Sequence, residues 1–343
     1  MKRFLFFIPL LVIVGFFLFW RGTSFTIFKK NIALNNLDIQ NPPAGFLSGK
    51  PCDNATNRPF GVMLASDPEA RPLSGIGQAD MVIEMPISVD GITRLMALFQ
   101  CQEPDDIGSI RSARQPFIGI AKGYDAIFVH WGGEHGALKM LNTEVIDNLD
   151  ALNDPNQAFY RKKDIPAPHN GFTSFSSLKG TAQKLGYARN LSHELEKNPP
   201  LEFKKEDASM PLASFAPEVT ISYRKGFEVA YHYDENTASY IRERAGLAEI
   251  DALTKNPIRA KNILILFAKI YPTYSQYVNV EIDGKRGNLK AFISGKEIDG
   301  FWEKNSVDAP LEFYSAQGTH LALAPGTTWI EVVDQTLHEK NTS

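Results

Sequence analysis

The feature that most constrains this chain is an uncharged apolar run near its start. Phe4–Trp20 is seventeen residues without a charge, inside the stretch MKRFLFFIPLLVIVGFFLFWRG. A helix that crosses a bilayer needs about twenty apolar residues, with roughly seventeen at the short end. Pro9 and Gly15 would weaken a helix in water, but membrane helices tolerate both. Trp20 and Arg21 stand where an interfacial anchor belongs. The competing readings are a cleaved signal peptide and a buried core helix. A cleavage site wants small residues, whereas Phe17-Leu18-Phe19-Trp20 is bulky. The expectation is an uncleaved anchor, with membrane contact through residues 4–20. Lys2 and Arg3 before the run and Arg21, Lys29 and Lys30 after it leave the orientation open on charge alone.

The residues beyond this anchor must supply the folded body. The chain has 343 residues, enough for about two domains. A net charge of -3 offers no basic field for a polyanion, so no nucleic-acid partner is expected. Cys52 and Cys101 are the two cysteines. They can be two buried thiols or one disulfide. Each flanks a predicted strand of the same domain, and an exported domain permits the bond, so a disulfide is expected. Without paired CxxC spacing there is no zinc signature, and no metal or cofactor is expected.

Residues 22–57 carry Asn, Pro, Gly and Lys with little periodicity and read as a tether. Short apolar runs at Phe60–Ala65, Met81–Met85, Thr93–Cys101 and Ala126–His130 predict strands. Helices are predicted over Ser112–Lys122, Glu134–Leu141 and Ser174–Leu185. That alternation predicts a mixed α/β domain over residues 58–196. The Pro- and Lys-rich stretch 197–217 reads as a linker or surface loop. From residue 218 strand patterns dominate, so 218–336 is expected to be β-rich. The fold class is α+β or α/β, with the anchor over residues 1–21 ahead of it.

Candidate site residues crowd the first domain. Arg111 and Arg114 lie three apart at a predicted helix start, where free N–H groups and the helix dipole favour an anion. They can equally be surface residues, or pair with Asp80, Glu84 or Asp90. Arg94 and Arg161 are further guanidinium candidates. His130 ends a predicted strand before Gly132 and Gly133, where open α/β sheets place ligand contacts. His169 and Asn170 sit in a Pro-flanked loop. Either histidine can serve as a general base, with Glu84 or Asp125 orienting it, or as an ordinary hydrogen-bonded residue. A metal held by Glu84, His130 and His135 lacks any supporting spacing. Ser112 can cap the helix or act as a nucleophile, although no GxSxG elbow surrounds it. Trp302 and Trp329 suit core packing better than a sugar-binding face.

The strings Asp67-Pro-Glu-Ala-Arg-Pro-Leu-Ser-Gly-Ile-Gly-Gln-Ala-Asp80, Asp90-Gly-Ile-Thr-Arg94, Ile107-Gly-Ser-Ile-Arg-Ser-Ala-Arg114, His130-Trp-Gly-Gly133 and Ala167-Pro-His-Asn170 occur in that order. With Ala324-Pro-Gly-Thr-Thr-Trp-Ile330 near the end, the chain resembles the YerB-like family of bacterial extracytoplasmic lipoproteins. The resemblance spans nearly all of 58–335. It implies export and a body of two domains of unknown function, and it carries over no catalytic residue. This chain departs from the pattern in two places. Its first cysteine, Cys52, stands far beyond the position of a lipidation cysteine, so the helix itself is expected to anchor. Ser109-Ile110 also replaces the Pro-Val that tends to precede Arg-Ser-Ala-Arg.

Three functions compete. The leading one is a membrane-anchored envelope protein binding an anionic glycan, phosphosugar or peptide through Arg94, Arg111 and Arg114 in the first domain. The second is an extracytoplasmic hydrolase or transferase using His130 or His169 with Glu84. The third is a module that docks an envelope protein without a small ligand.

Overall fold

The computed structural model describes residues 42–204, 214–274 and 276–337. The apolar run at residues 4–20 lies outside them. Among the described residues no helix is long and apolar enough to cross a membrane.

The elements that place the site are, in chain order, β1 (Phe60–Ala65), β2 (Met81–Pro86), β3 (Thr93–Phe99) and β4 (Ile107–Gly108). Helix α1 (Gln115–Gly123), β5 (Ile127–His130), α2 (His135–Leu141) and β6 (Asn148–Asp150) come next. Then come β7 (Phe159–Arg161), β8 (Gly171–Thr173) and α3 (Phe175–Lys184). The second half contributes β9 (Glu218–Ile221), β10 (Val229–Asp234), β11 (Ser239–Arg244) and β12 (Asn262–Ala268). It closes with β13 (Lys285–Ile293), β14 (Lys296–Lys304) and β15 (Thr328–Asp334).

A mixed sheet of eleven strands runs edge to edge as Ser214–Phe215, β14, β13, β12, β15, β2, β3, β1, β5, β6, with Glu312–Ser315 also paired to β14. Both of its faces are covered. Met81, Ile83 and Met85 of β2 join one core with Met96, Leu98 and Phe128. Val82 joins the other with Leu95, Ala97, Phe99 and Val129. Two-sided burial explains why these strands are apolar over most of their length, without a polar residue at every second place. Helix α1 packs Phe117, Ile118 and Ile120 into the first core. Helix α3 packs Phe175 and Leu178 into the second, and a five-stranded sheet around β9, β10 and β11 adds Val229, Tyr231 and Tyr240.

The sequence separates 58–196 from 218–336, but the two segments share this sheet. β15 pairs in parallel with β2, setting Glu331 opposite Glu84. Asn41–Ser343 is accordingly one compact unit. The character of each half is as expected, a mixed α/β first part and a β-rich second part. The linker assigned to 197–217 is partly strand: Glu202–Phe203 pairs with Ala322–Leu323, and Ser214–Phe215 with β14. Residues 205–213 lie outside the described residues.

The tether is shorter than its composition implies. Phe46, Leu47 and Ser48 are buried, and the Phe46 ring lies 6.3 Å from that of Tyr124. Cys52 is bonded to Cys101, with the Cα atoms 5.5 Å apart. Residues 42–57 therefore belong to the body. Polar composition misleads here because two apolar side chains and one covalent link suffice to hold a short irregular segment.

Candidate anion-binding site

The site forms in the segment between α1 and β4, a short strand that pairs with β8 outside the large sheet. The sequence places a helix start at Ser112, but α1 begins at Gln115, with Pro116 in its first turn. Residues 110–113 instead run extended across the end of the sheet. The Arg111 amide donates to the Met63 carbonyl at 2.9 Å, and the Ile110 amide donates to Gly171 at 2.8 Å. Ser112 does not cap the helix; Arg114 occupies that position without a side-chain bond.

The β7–β8 hairpin supplies the opposite wall. Arg161 lies across from Gly171 in its register. A Cβ at Gly171 would stand 2.4 Å from the Trp131 indole, so glycine lets that ring lie flat on the hairpin. The Arg161 guanidinium stacks over the Trp131 ring, 4.3 Å from its centroid. Arg161 Nη1 also donates to Asn170 Oδ1 at 2.6 Å. A rigid aromatic base and an amide thus fix an otherwise exposed arginine.

Between these walls lies a cleft of about 270 Å³ lined by Arg111, Ser112, Trp131, Arg161, Pro168 and Asn170, among others. Among the described residues, two guanidinium groups and no carboxylate line it. Arg111 is steered from behind: its Nη1 donates to the Pro168 carbonyl at 3.3 Å, and its Nε stands 4.0 Å from Asp67. The Arg111 Nε is buried and has no hydrogen-bond partner among the described residues. Asp67 mainly serves Arg94, at 3.1 Å. Burial would push the Asp67 carboxyl up, but Arg94 and then Arg111 outweigh it and hold it below its ordinary value. Burial pulls buried Arg94 down to about 10, which leaves it cationic at neutral pH. His169 is the fourth member of this group. Burial, and then the Arg111 charge, lower its pKa from the usual value.

The structure therefore unites Arg111, Ser112, Arg161 and Asn170 in one cleft, with Arg94 and His169 behind it. It does not bring the others there. Glu84 is fully buried against the smaller sheet, bonded to Arg242 at 2.5 Å and Arg244 at 2.6 Å and accepting from Thr93. It cannot orient His130: two strands separate β2 from β5, about 14 Å at ordinary strand spacing. His130 is buried, with Nδ1 2.8 Å from the Gly132 carbonyl and Nε2 3.2 Å from Asn148 Oδ1. The ring nitrogens thus face the turn after β5 and the Asn148 side chain of β6. Asp125 pairs with Arg58 at 3.1 Å and serves neither histidine. Gly132 and Gly133 shape the turn after β5: Gly132 has φ of 60°, and its amide donates to Asp150. Arg114 turns away, its Nη1 donating to the Ala113 carbonyl at 2.8 Å and its guanidinium resting over Tyr277. Trp302 and Trp329 are buried in the two cores.

Sequence reasoning missed Asp67 and Trp131 as site residues. Asp67 reads as a strand breaker before Pro68, and its service to Arg94 and Arg111 is visible only in space. Trp131 stands inside the His130–Gly133 motif, but its stacking partner comes from a hairpin thirty residues later.

Fold and site together define a class: a body of two sequence segments sharing one mixed sheet, with an arginine-lined cleft on the first segment. The chain belongs to the DUF3048 family. Residues 47–188 match "Protein of unknown function (DUF3048) N-terminal domain", and residues 219–330 match its C-terminal domain. It is 33% identical over 285 residues to "Putative lipoprotein YerB" of Bacillus subtilis (strain 168), covering 80% of this chain and 81% of that one. The crystal structure of YerB protein from Bacillus subtilis superposes with a TM-score of 0.75 at 30% identity, covering 85% of this chain and 97% of that one.

Proposed function

We propose that this chain is a cell-envelope protein, held at the membrane by residues 4–20, which binds an anionic envelope ligand in the Arg111–Arg161 cleft. One observation carries the binding part. Two guanidinium groups from separate segments line one small cleft that no carboxylate lines among the described residues. Arginine's planar fork suits phosphate and carboxylate, and Ser112 and Asn170 add neutral polar groups beside it. The arrangement favours binding over turnover, because Glu84 and His130, two of the three groups proposed for acid–base chemistry, are occupied elsewhere. An extracytoplasmic location is supported by the apolar run, by the Cys52–Cys101 bond, which oxidising compartments permit, and by the lipoprotein name of the Bacillus relative.

Titrating the full-length chain with glycerol 3-phosphate, with glycerol as the neutral control, tests the reading. Saturable binding of the phosphorylated compound alone is expected, weakening as salt is raised. Equal behaviour of the two compounds would contradict it.

The position of His169 adds a pH dependence. Its pKa is lowered by burial and by Arg111, while Asp67 and Glu69 pull it up and Arg94 pushes it down. A bound anion favours the protonated ring, so the complex takes up a proton and affinity rises as pH falls. Sulfate, whose charge is fixed across this range, is the suitable probe. Its affinity is expected to rise a few-fold from about pH 7.5 to about pH 5.5, near the ordinary histidine range. His169→Gln should flatten the profile; an unchanged slope in that variant would remove His169 from the account.

A further inference from the structure

A second cavity lies apart from the arginine cleft, between the outer part of the sheet and helix α3. Its volume is about 320 Å³. The floor is apolar: Phe60 of β1, Ile127 of β5, and Phe175 and Ala182 of α3, all members of the second core. Phe60 and Phe175 meet edge to face with centroids 5.3 Å apart, so the floor is a fixed surface. Charged groups among the lining residues are of one sign only. Arg58, Lys179 and Arg189 line the cavity, and among the described residues no carboxylate does.

The counter-charges sit behind these cations. Arg58 is held by Asp125 at 3.1 Å and Asp147 at 2.6 Å, and Lys179 by Glu103 at 3.2 Å. Glu103 also accepts from Asn54 at 2.8 Å and is influenced by Arg189. Arg189 itself is exposed and forms no ion pair within 4.0 Å among the described residues. A pocket with an apolar floor and one exposed guanidinium in its lining that forms no ion pair among the described residues matches a ligand with an apolar body and a single negative head.

We propose that this cavity binds a small amphiphilic carboxylate, with its apolar body against Phe60, Ile127 and Phe175 and its head group on Arg189. Size narrows the class. A water molecule's share of liquid volume is about 30 Å³, so the cavity holds about ten non-hydrogen atoms. That is the size of a medium-chain fatty acid such as octanoate or of a simple aryl carboxylate. Charge decides against the matching alcohol, because the head group meets a guanidinium fork that a neutral hydroxyl serves poorly. The site shares none of its lining residues with the arginine cleft, so either can fail without the other.

Photolabelling of the full-length chain with a diazirine-bearing octanoate, mapped by peptide mass spectrometry, tests this. Label is expected on the stretch 175–189, displaced by octanoate but not by acetate or octanol. Arg189→Glu, at an exposed position, should weaken labelling at least about tenfold. Ala182→Phe should abolish it by filling the floor, whereas Arg111→Ala should leave it unchanged. Label elsewhere only, equal displacement by octanol, or labelling that Arg189→Glu leaves intact would each overturn the proposal. Should Ala182→Phe disturb the fold, the Arg189 variant still decides.

Discussion

Replacing Glu84 by alanine is expected to lower the stability of the body by about 3–5 kcal/mol, the usual cost of breaking one member out of a buried ion cluster. Glu84 and Glu331 are neighbours in register on β2 and β15, both fully buried, and both face β11 of the smaller sheet. Arg244 grips both oxygens of Glu84, at 2.7 and 2.6 Å, and Arg242 donates to Glu84 and reaches Glu331 at 3.4 Å. Glu249 closes the group from the edge by pairing with Arg242. Tyr223 and Tyr231 donate their hydroxyls to Glu331. Removing Glu84 leaves two buried guanidinium groups short of their counter-charge.

The two carboxylates respond oppositely to pH. Burial pushes both up. For Glu84, Arg244 and Arg242 outweigh it, so its pKa lies below the ordinary value. Its stabilising contribution is present above the unfolded value, about 4.3, and is lost as pH falls through the folded one. For Glu331, burial is joined by the Glu84 charge, and its pKa is raised. Its contribution is present below about pH 4.3 and fades as pH rises through the folded value. Glu331→Gln is therefore expected to cost much less than Glu84→Ala near neutral pH. Urea unfolding midpoints of the two variants check this ranking, and equal losses would refute it.

The second large effect concerns the disulfide. Cys52 and Cys101 are 49 residues apart in sequence. Closing a loop of that length restricts the unfolded chain by about 4 kcal/mol at room temperature in the chain-entropy view. Cys52→Ser with Cys101→Ser is expected to cost up to about that amount. The loss should begin locally, since the bond ties the segment carrying Phe46 and Leu47 to the end of β3. The Asp80 carboxylate reinforces that anchor by accepting the amides of Gln100 and Cys101 at 2.7 and 2.8 Å. Thiol labelling under denaturing conditions reports the bond: no label before reduction, and two labels per chain after it. Free thiols in the unreduced protein would contradict the bond.

Much of the fold is legible in the sequence because its strands carry period and punctuation. Phe60–Ala65 is an apolar run followed by Asp67-Pro68, Met81–Met85 is an apolar run broken only by Glu84, and both are strands. Ser174 does cap α3, accepting the Ser177 amide. What local pattern cannot show is which strands become neighbours. Nothing near Glu84 says that Glu331, 247 residues on, will lie beside it, so a buried ion-cluster residue reads as a catalytic one. The same limit applies to the site. Arg111 and Arg161 are visible as candidates, but only the crossing of residues 110–113 against the β7–β8 hairpin makes them neighbours. Arg114, equally basic and three positions away, is turned out of the cleft because α1 starts there, leaving it over Tyr277.

That contrast gives the most direct test of an anion seated between Arg111 and Arg161. Glycerol 3-phosphate is titrated into the full-length chain and into Arg111→Ala, Arg161→Ala and Arg114→Ala, each checked for folding by circular dichroism. Loss of either cleft arginine is expected to weaken binding at least about tenfold, the scale of one charge-assisted contact, while Arg114→Ala binds as the unaltered chain does. Unchanged affinity in Arg111→Ala and Arg161→Ala, or an equal loss in Arg114→Ala, would contradict the assignment.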